Sequence, residues 1–298
     1  MPTEKITAGA AGDWTLGDRT VRRMGFGSMR ITAHPDRDRA VRVLRRAVEL
    51  GVDHVDTAAF YVSPGGTLNV GTGPTRYATD LIRAALAPYP DDLVIATKVG
   101  FRYDPATGLG EDAGPAALRT QVEENLRRLG RDHLDLVNLR IVKRPAPDSV
   151  AERFGALAAM REAGLIRHLG LSNVRLDHLD EAQTVAPVVC VQNSYALDNR
   201  GDQDALLREC GARGIAYVPF FALAGANREG GARTDHGAAV HAVARAHGAT
   251  AQQVRLAWTL HQGAHVLAIP GTGDPDHVAE NVAAGALRLS ADELAALG

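Results

Sequence analysis

Short runs of apolar, β-prone residues alternate along this chain with longer stretches in which apolar residues recur at helical spacing. That alternation is the pattern of a parallel sheet built from strand–helix units, and eight units can be counted. Strands are predicted over 23–27, 54–57, 93–98, 134–140, 168–172, 188–192, 215–219 and 266–270. The first helix, over 36–50, shows how the others are specified. Asp36 follows Pro35 as an N-cap, Val41, Leu44, Val48 and Val52 recur near helical spacing, and Gly51 marks the stop. Comparable helices are predicted to start near Pro74, Pro115, Ser149, Asp177, Asp202, Asp235 and Asp274. Ahead of the first unit, 14–16 and 19–22 flank the turn-prone pair Gly17-Asp18 and read as a small hairpin capping the floor of the sheet.

Eight strand–helix pairs can close into a (β/α)8 TIM barrel or open into a doubly wound sheet. The even pace, roughly one unit per 30–40 residues with no low-complexity linker, favours a single α/β barrel domain over 1–298. One segment breaks that economy. Residues 63–74 (SPGGTLNVGTGP) hold five glycines and prolines before Pro74, too many for a helix or a regular strand, so an inserted loop is expected. It is either a disordered surface excursion or a lid over the end of the second strand.

With 298 residues, 45% of them hydrophobic, the chain can bury a sizeable core. Lys plus Arg (33) nearly balance Asp plus Glu (35), so no strong field invites nucleic acid or an anionic membrane, and the expected partner is a small molecule. Cys190 and Cys210 lack metal-ligand spacing and read as small buried hydrophobes in a reducing compartment. The start of the chain has no basic segment followed by an apolar run, and nowhere do eighteen apolar residues run together. A cytoplasmic, non-membrane protein is expected.

Active sites of barrels are built at the C-terminal ends of the strands, so polar residues matter most there. The successive ends carry Gly27-Ser28-Met29, Asp56 with nearby Tyr61, Lys98, Asn138 and Arg140, Ser172-Asn173, Gln192-Asn193, Phe220-Phe221, and Gly271-Thr272-Gly273. A tyrosine titrates near ~10 and donates a proton poorly unless its ionisation is eased. Lys98 beside Tyr61 would favour the phenolate, and a buried Asp56 would hold the ammonium charged, giving a phenol able to protonate a developing alkoxide near neutral pH. Each residue alone has an ordinary structural explanation; their coincidence carries the reading. His54, His133 and His168 fall at strand starts, on the barrel floor away from that chemistry, and the arginine-rich run at 37–46 reads as a solvated helix face.

GFGSM at 25–29, DTAAFY at 56–61, ATK at 96–98, GLSN at 170–173, VQNSY at 191–195 and IPGTGDPDHVAEN at 269–281 resemble, in order, the motifs of the aldo-keto reductase superfamily. The resemblance implies an oxidoreductase that moves hydride between a nicotinamide cofactor, NADPH first with NADH not excluded, and a carbonyl/alcohol pair. Carried over by residue, it makes Tyr61 the general acid/base, tuned by Lys98 and Asp56. Ser172, Asn173 and Gln192 would bind the nicotinamide carboxamide, Phe220 would stack on its ring, and Gly27, Ser28, Met29, Phe221 and Leu223 would line the cofactor. Gly271, Thr272, His277, Glu280 and Asn281 would hold the adenosine ribose, its 2′-phosphate and the adenine, with the start of the last helix suited to a phosphate. GGAR at 230–233, after Asn227-Arg228-Glu229, either folds over the pyrophosphate or is a plain loop.

Two departures narrow the resemblance. Where the family commonly ends its fourth strand in histidine, this chain reads LDLVNLR and places Arg140, a fixed cation that could polarise a carbonyl, bind a substrate anion, or pair with an acid in a purely structural role. VNLR, AYVPFF and IPGT resemble a bacterial branch that includes pyridoxal reductases (pyridoxine 4-dehydrogenases), for whose substrate an arginine is suited. Second, Gly271 and His277 stand where many members have Lys and Arg near the 2′-phosphate. No long C-terminal loop shapes the pocket, so substrate choice is expected from the loops after strands one, two and four. Alternatives are reduction of an enone or imine in a specialised biosynthetic pathway, and a non-catalytic nicotinamide-binding regulatory subunit.

Overall fold

The computed structural model describes residues 6–68, 70–142, 149–223, 233 and 235–298. The hairpin comes first, β1 (Asp13–Leu16) antiparallel to β2 (Arg19–Arg22) about the Gly17-Asp18 turn. Then follow β3 (Phe26–Gly27), α1 (Arg37–Glu49) and β4 (His54–Asp56). A short ribbon, β5 (Val62–Ser63) with β6 (Arg76–Tyr77), leads into α2 (Ala78–Leu86). Next, β7 (Val94–Val99) runs into a second ribbon, β8 (Phe101–Asp104) with β9 (Gly108–Glu111), before α3 (Pro115–Leu129). Regular alternation resumes with β10 (Leu134–Arg140), α4 (Ala151–Glu162), β11 (Ile166–Ser172), α5 (Leu176–Val185), β12 (Cys190–Gln192), α6 (Gln203–Ala212) and β13 (Ala216–Tyr217). Two helices, α7 (Gly237–His247) and α8 (Ala251–His261), precede α9 (Pro275–Ala283) and α10 (Ala291–Leu297).

Seven parallel strands lie side by side in the order β3-β4-β7-β10-β11-β12-β13. The eighth segment closes the barrel through single bridges rather than a ladder: Val266 meets Tyr217 on one side and Ala268 meets Met24 on the other. Gly25 N–H donates to Ala268 O at 2.8 Å and Leu267 N–H to Tyr217 O at 3.0 Å. Pro219 and Pro270 have no N–H to give, which limits a longer ladder at the C-terminal end of this seam. The hairpin plugs the floor. Leu16 and Val21 pack with Val94, Leu136, Ala216 and Leu267, residues of the barrel interior. Leu16→Ala is therefore expected to cost about 2–4 kcal/mol, read as a lower urea midpoint with an unchanged slope.

Four features differ from the sequence expectation. Helix α2 starts at Ala78 rather than near Pro74, because Arg76 and Tyr77 pair with Ser63 and Val62. The ribbon β8–β9 and the helices α8 and α10 were not expected. Both helices are announced by capping boxes, Thr250 with Gln253 and Ser290 with Glu293, in which each side chain bonds the other's backbone N–H. The arginine run on α1 is not simply solvated: Arg39 Nη2 meets Asp274 at 2.9 Å and Arg45 Nε bonds Ala85 O at 3.1 Å. Cys190 and Cys210 are buried free thiols, and burial pushes Cys210 up to about 12.

Candidate active site

In a parallel sheet, residues paired in register point to the same face, and alternate residues share it. Lys98 is in register with Asn138, Arg140 with Ser172, and Ser172 with Gln192. Asp56 is paired with Ala96, two residues before Lys98. All of these side chains therefore enter the barrel near the C-terminal ends of its strands.

Lys98 Nζ lies 2.6 and 2.7 Å from the two oxygens of Asp56 and donates to Thr57 O at 3.1 Å. Asp56 Oδ1 also accepts from Gln192 Nε2 at 2.7 Å. The pair is sealed from solvent, with Asp56 3% and Lys98 2% exposed. Above it sits Tyr61, whose ring centroid is 4.8 Å from Lys98 Nζ. Burial alone would lower the Lys98 ammonium, but the charge of the Asp56 carboxylate, with hydrogen bonds to Asp56 and to Tyr61, raises it above the ordinary lysine value. Tyr61 departs from expectation: burial pushes its phenol up, and the opposing pull of Lys98 does not overcome it. In the unliganded protein Tyr61 is a neutral phenol, which is the form that donates a proton.

Tyr61 opens on a cavity of ≈390 Å³ that also takes in Gly27, Met29, Asp56, Arg140, Phe220, Phe221, Leu223 and Gly271. One wall is aromatic: Phe60 meets both Tyr61 and Phe101 edge-on, each at 5.3 Å between centroids. Phe101 and Leu109 come from the ribbon β8–β9, so the loop after the third strand shapes the cavity, which corrects the expectation that only loops one, two and four do so. The signal was the DPATG turn at 104–108 between two short β-prone runs. Thr67 of the inserted loop also lines the cavity, and its hydroxyl donates to Phe60 O. That loop is tied down. Leu68 is buried, the Ser63 hydroxyl bonds Val70 O, and Arg76 bonds Thr32 O and Thr72 O, both at 2.9 Å.

Arg140 Nη1 donates to Ser172 Oγ at 3.0 Å, and its guanidinium lies 4.8 Å above the Phe220 ring. Gln192 Oε1 and Ser28 Oγ are buried with no hydrogen-bond partner among the described residues. Asn173 and Phe221 are held at φ of 62° and 65°, and such backbone strain concentrates at binding sites. Gly27 and Gly271 touch so closely that a Cβ on Gly271 would sit 2.5 Å from Gly27 O, leaving a backbone cradle. A partnerless amide acceptor, two strained backbone positions and this cradle could hold a flat carboxamide-bearing ring and the chain that follows it. Asn138 is fully buried and lines neither space, while Asn193 braces its neighbours by accepting from Val174 N–H at 2.9 Å.

A groove of ≈520 Å³ continues outward past Leu223, Gly271, Thr272, His277, Glu280 and Asn281. It ends at the N-terminus of α9, capped by Asp274, whose side chain accepts from Asp276 N–H at 2.9 Å. Arg30, His34 and Arg39 also line it, and the motif at 269–281 gave no hint of them. Residues 227–232 of the expected loop over the pyrophosphate lie outside the described residues; Arg233 meets Asp198 at 2.6 Å.

The model of the Aldo/keto reductase family matches residues 23–298. The chain belongs to this family. It is 42% identical to the pyridoxine 4-dehydrogenase of Escherichia coli over 95% of this chain and 96% of that one. It is 36% identical to an uncharacterized oxidoreductase of Schizosaccharomyces pombe, covering 98% and 90%. A solved Klebsiella pneumoniae aldo/keto reductase in complex with NADP and acetate superposes with a TM-score of 0.77 at 27% identity, over 99% of this chain and 94% of that one. This aldo/keto reductase is thus an oxidoreductase on a (β/α)8 barrel. No helix among the described residues is long and apolar enough to cross a membrane.

Proposed function

We propose that this aldo/keto reductase reduces the aldehyde of a small aromatic substrate of the pyridoxal type to the alcohol, with NADPH as the hydride source and Tyr61 as the proton donor. The same groups serve the reverse oxidation. The observation that carries the reading is the stack of Asp56, Lys98 and a neutral Tyr61 under one aromatic-walled cavity. When bound, the nicotinamide supplies the hydride.

Gln192 Oε1 and Ser172 would take its carboxamide, and the Phe220 ring its face, once Arg140 gives up part of its contact with both. Arg30, at the junction of cavity and groove, would face the pyrophosphate. Tyr61 passes its proton to the carbonyl oxygen as charge develops there, and Lys98 stabilises the phenolate left behind. The buried Asp56 keeps Lys98 charged for that role.

The substrate class rests on Arg140 and on the relative that is a pyridoxine 4-dehydrogenase. Pyridoxal carries an acidic ring hydroxyl beside its aldehyde. Arg140 on the cavity wall can hold that oxygen as an anion, while Phe60 and Phe101 contact the ring. NADPH oxidation with pyridoxal, compared with NADH, tests the reading. Arg140→Leu should raise KM for pyridoxal by about 10–100-fold, and should do so far less for an aldehyde lacking the hydroxyl. No turnover of pyridoxal, or an equal loss with both aldehydes, would sink the assignment.

A further inference from the structure

The outer groove holds a fixed cation that the segment 269–281 does not supply and the proposed chemistry does not use. Arg39, on α1, reaches across to the mouth of α9. Its Nε donates to Gly273 O at 2.6 Å and its Nη2 meets Asp274 Oδ2 at 2.9 Å. Nη1 has no partner among the described residues, and Arg39 lines the groove with Thr272, His277 and Asn281. Two acids stand at the same end, Asp274 and Glu280.

We propose that Arg39 is the specificity-determining residue that makes this enzyme prefer the 2′-phosphorylated dinucleotide. The inference rests on the nicotinamide reading above. A ribose 2′-phosphate brings close to two negative charges and needs a cation that stays charged. Gly271 has no side chain, and His277 carries an imidazole rather than a permanently charged guanidinium. Asp274 and Glu280 would repel the phosphate. Arg39 offsets that repulsion in two ways. Its pairing with Asp274 neutralises the nearer acid, and the same planar fork keeps Nη1 for a phosphate oxygen. It is supplied from the first helix of the barrel, so the preference is carried outside the segment that opens α9.

The test is equilibrium binding of NADP+ and NAD+ to the whole protein, followed by calorimetry, for wild type, Arg39→Gln, Arg39→Lys, Asp274→Asn and His277→Gln. Arg39→Gln is expected to weaken NADP+ by about tenfold or more and to leave NAD+ within about twofold. Arg39→Lys should recover part of the loss, and Asp274→Asn should bind NADP+ at least as tightly as wild type. If Arg39 is only a strut for α9, Asp274→Asn will reproduce the Arg39→Gln loss, or both dinucleotides will weaken together. Either result overturns the proposal, as does a loss of selectivity in His277→Gln with none in Arg39→Gln. Wild type that prefers NAD+ overturns it while leaving hydride transfer in place; wild type that binds neither overturns both.

Discussion

Tyr61→Phe is expected to lower the rate of carbonyl reduction by about 10²–10⁴-fold while leaving dinucleotide affinity within about twofold, since only the hydroxyl is lost. The ring stays, with its edge-on contact to Phe60 at 5.3 Å. Lys98 keeps its two bonds to Asp56. In the proposed mechanism, what disappears is the proton that neutralises the developing alkoxide. A loss of dinucleotide binding equal to the loss of rate would mean that Tyr61 shapes the site rather than supplying the proton.

The pH profile follows from the same residue. Burial holds the Tyr61 phenol above its ordinary value, with Lys98 pulling the other way. The protonated form needed for reduction therefore persists across neutral pH, and the reductive rate should fall only above pH ~10. Oxidation of the alcohol needs the phenolate and should rise with pH over the same range. Steady-state rates in both directions between pH 6 and roughly 10.5 check the sign; a reductive rate that titrates away near pH 7–8 would show that Lys98 outweighs burial once substrate is bound.

The barrel was legible because each unit carries its own local signals, such as the Asp36 cap, whose side chain accepts from Asp38 and Arg39 N–H. Strand ends were legible for the same reason: a parallel strand buried on both faces ends where polar residues begin, and Asp56, Lys98, Arg140, Ser172 and Gln192 are those ends. What the sequence hid is long-range. No local pattern says that Phe101 will meet Phe60, or that Arg39 will bridge to Asp274, 235 residues away. The raised Tyr61 phenol is hidden for a related reason, because spacing shows that Lys98 is near but not how much solvent both have lost. The capping boxes at Thr250 and Ser290 are local signals for α8 and α10, two helices that the pattern of one helix per strand does not include.

Asp56→Ala should be the most damaging single substitution, costing about 3–5 kcal/mol of stability and most of the activity. It strands the Lys98 ammonium, 2% exposed, without a counterion, and removes the acceptor of Gln192 Nε2. The loss should depend on pH in opposite ways in the two proteins. In wild type the Lys98 value is raised, so the pair's contribution is complete below the ordinary lysine value of ~10.5 and fades as pH rises through the raised one. In Asp56→Ala the attraction of Asp56 is gone and burial pushes Lys98 down. The unfolded chain then binds more protons than the folded one below ~10.5, and the variant gains stability as pH rises. Urea unfolding at pH 7 and about 9.5 should therefore bring the two midpoints together. Adding Lys98→Met removes the stranded charge and should restore much of the stability at pH 7 but none of the activity, because the phenolate of Tyr61 would still lack its cation. Recovery of both would show that the buried pair serves the barrel alone.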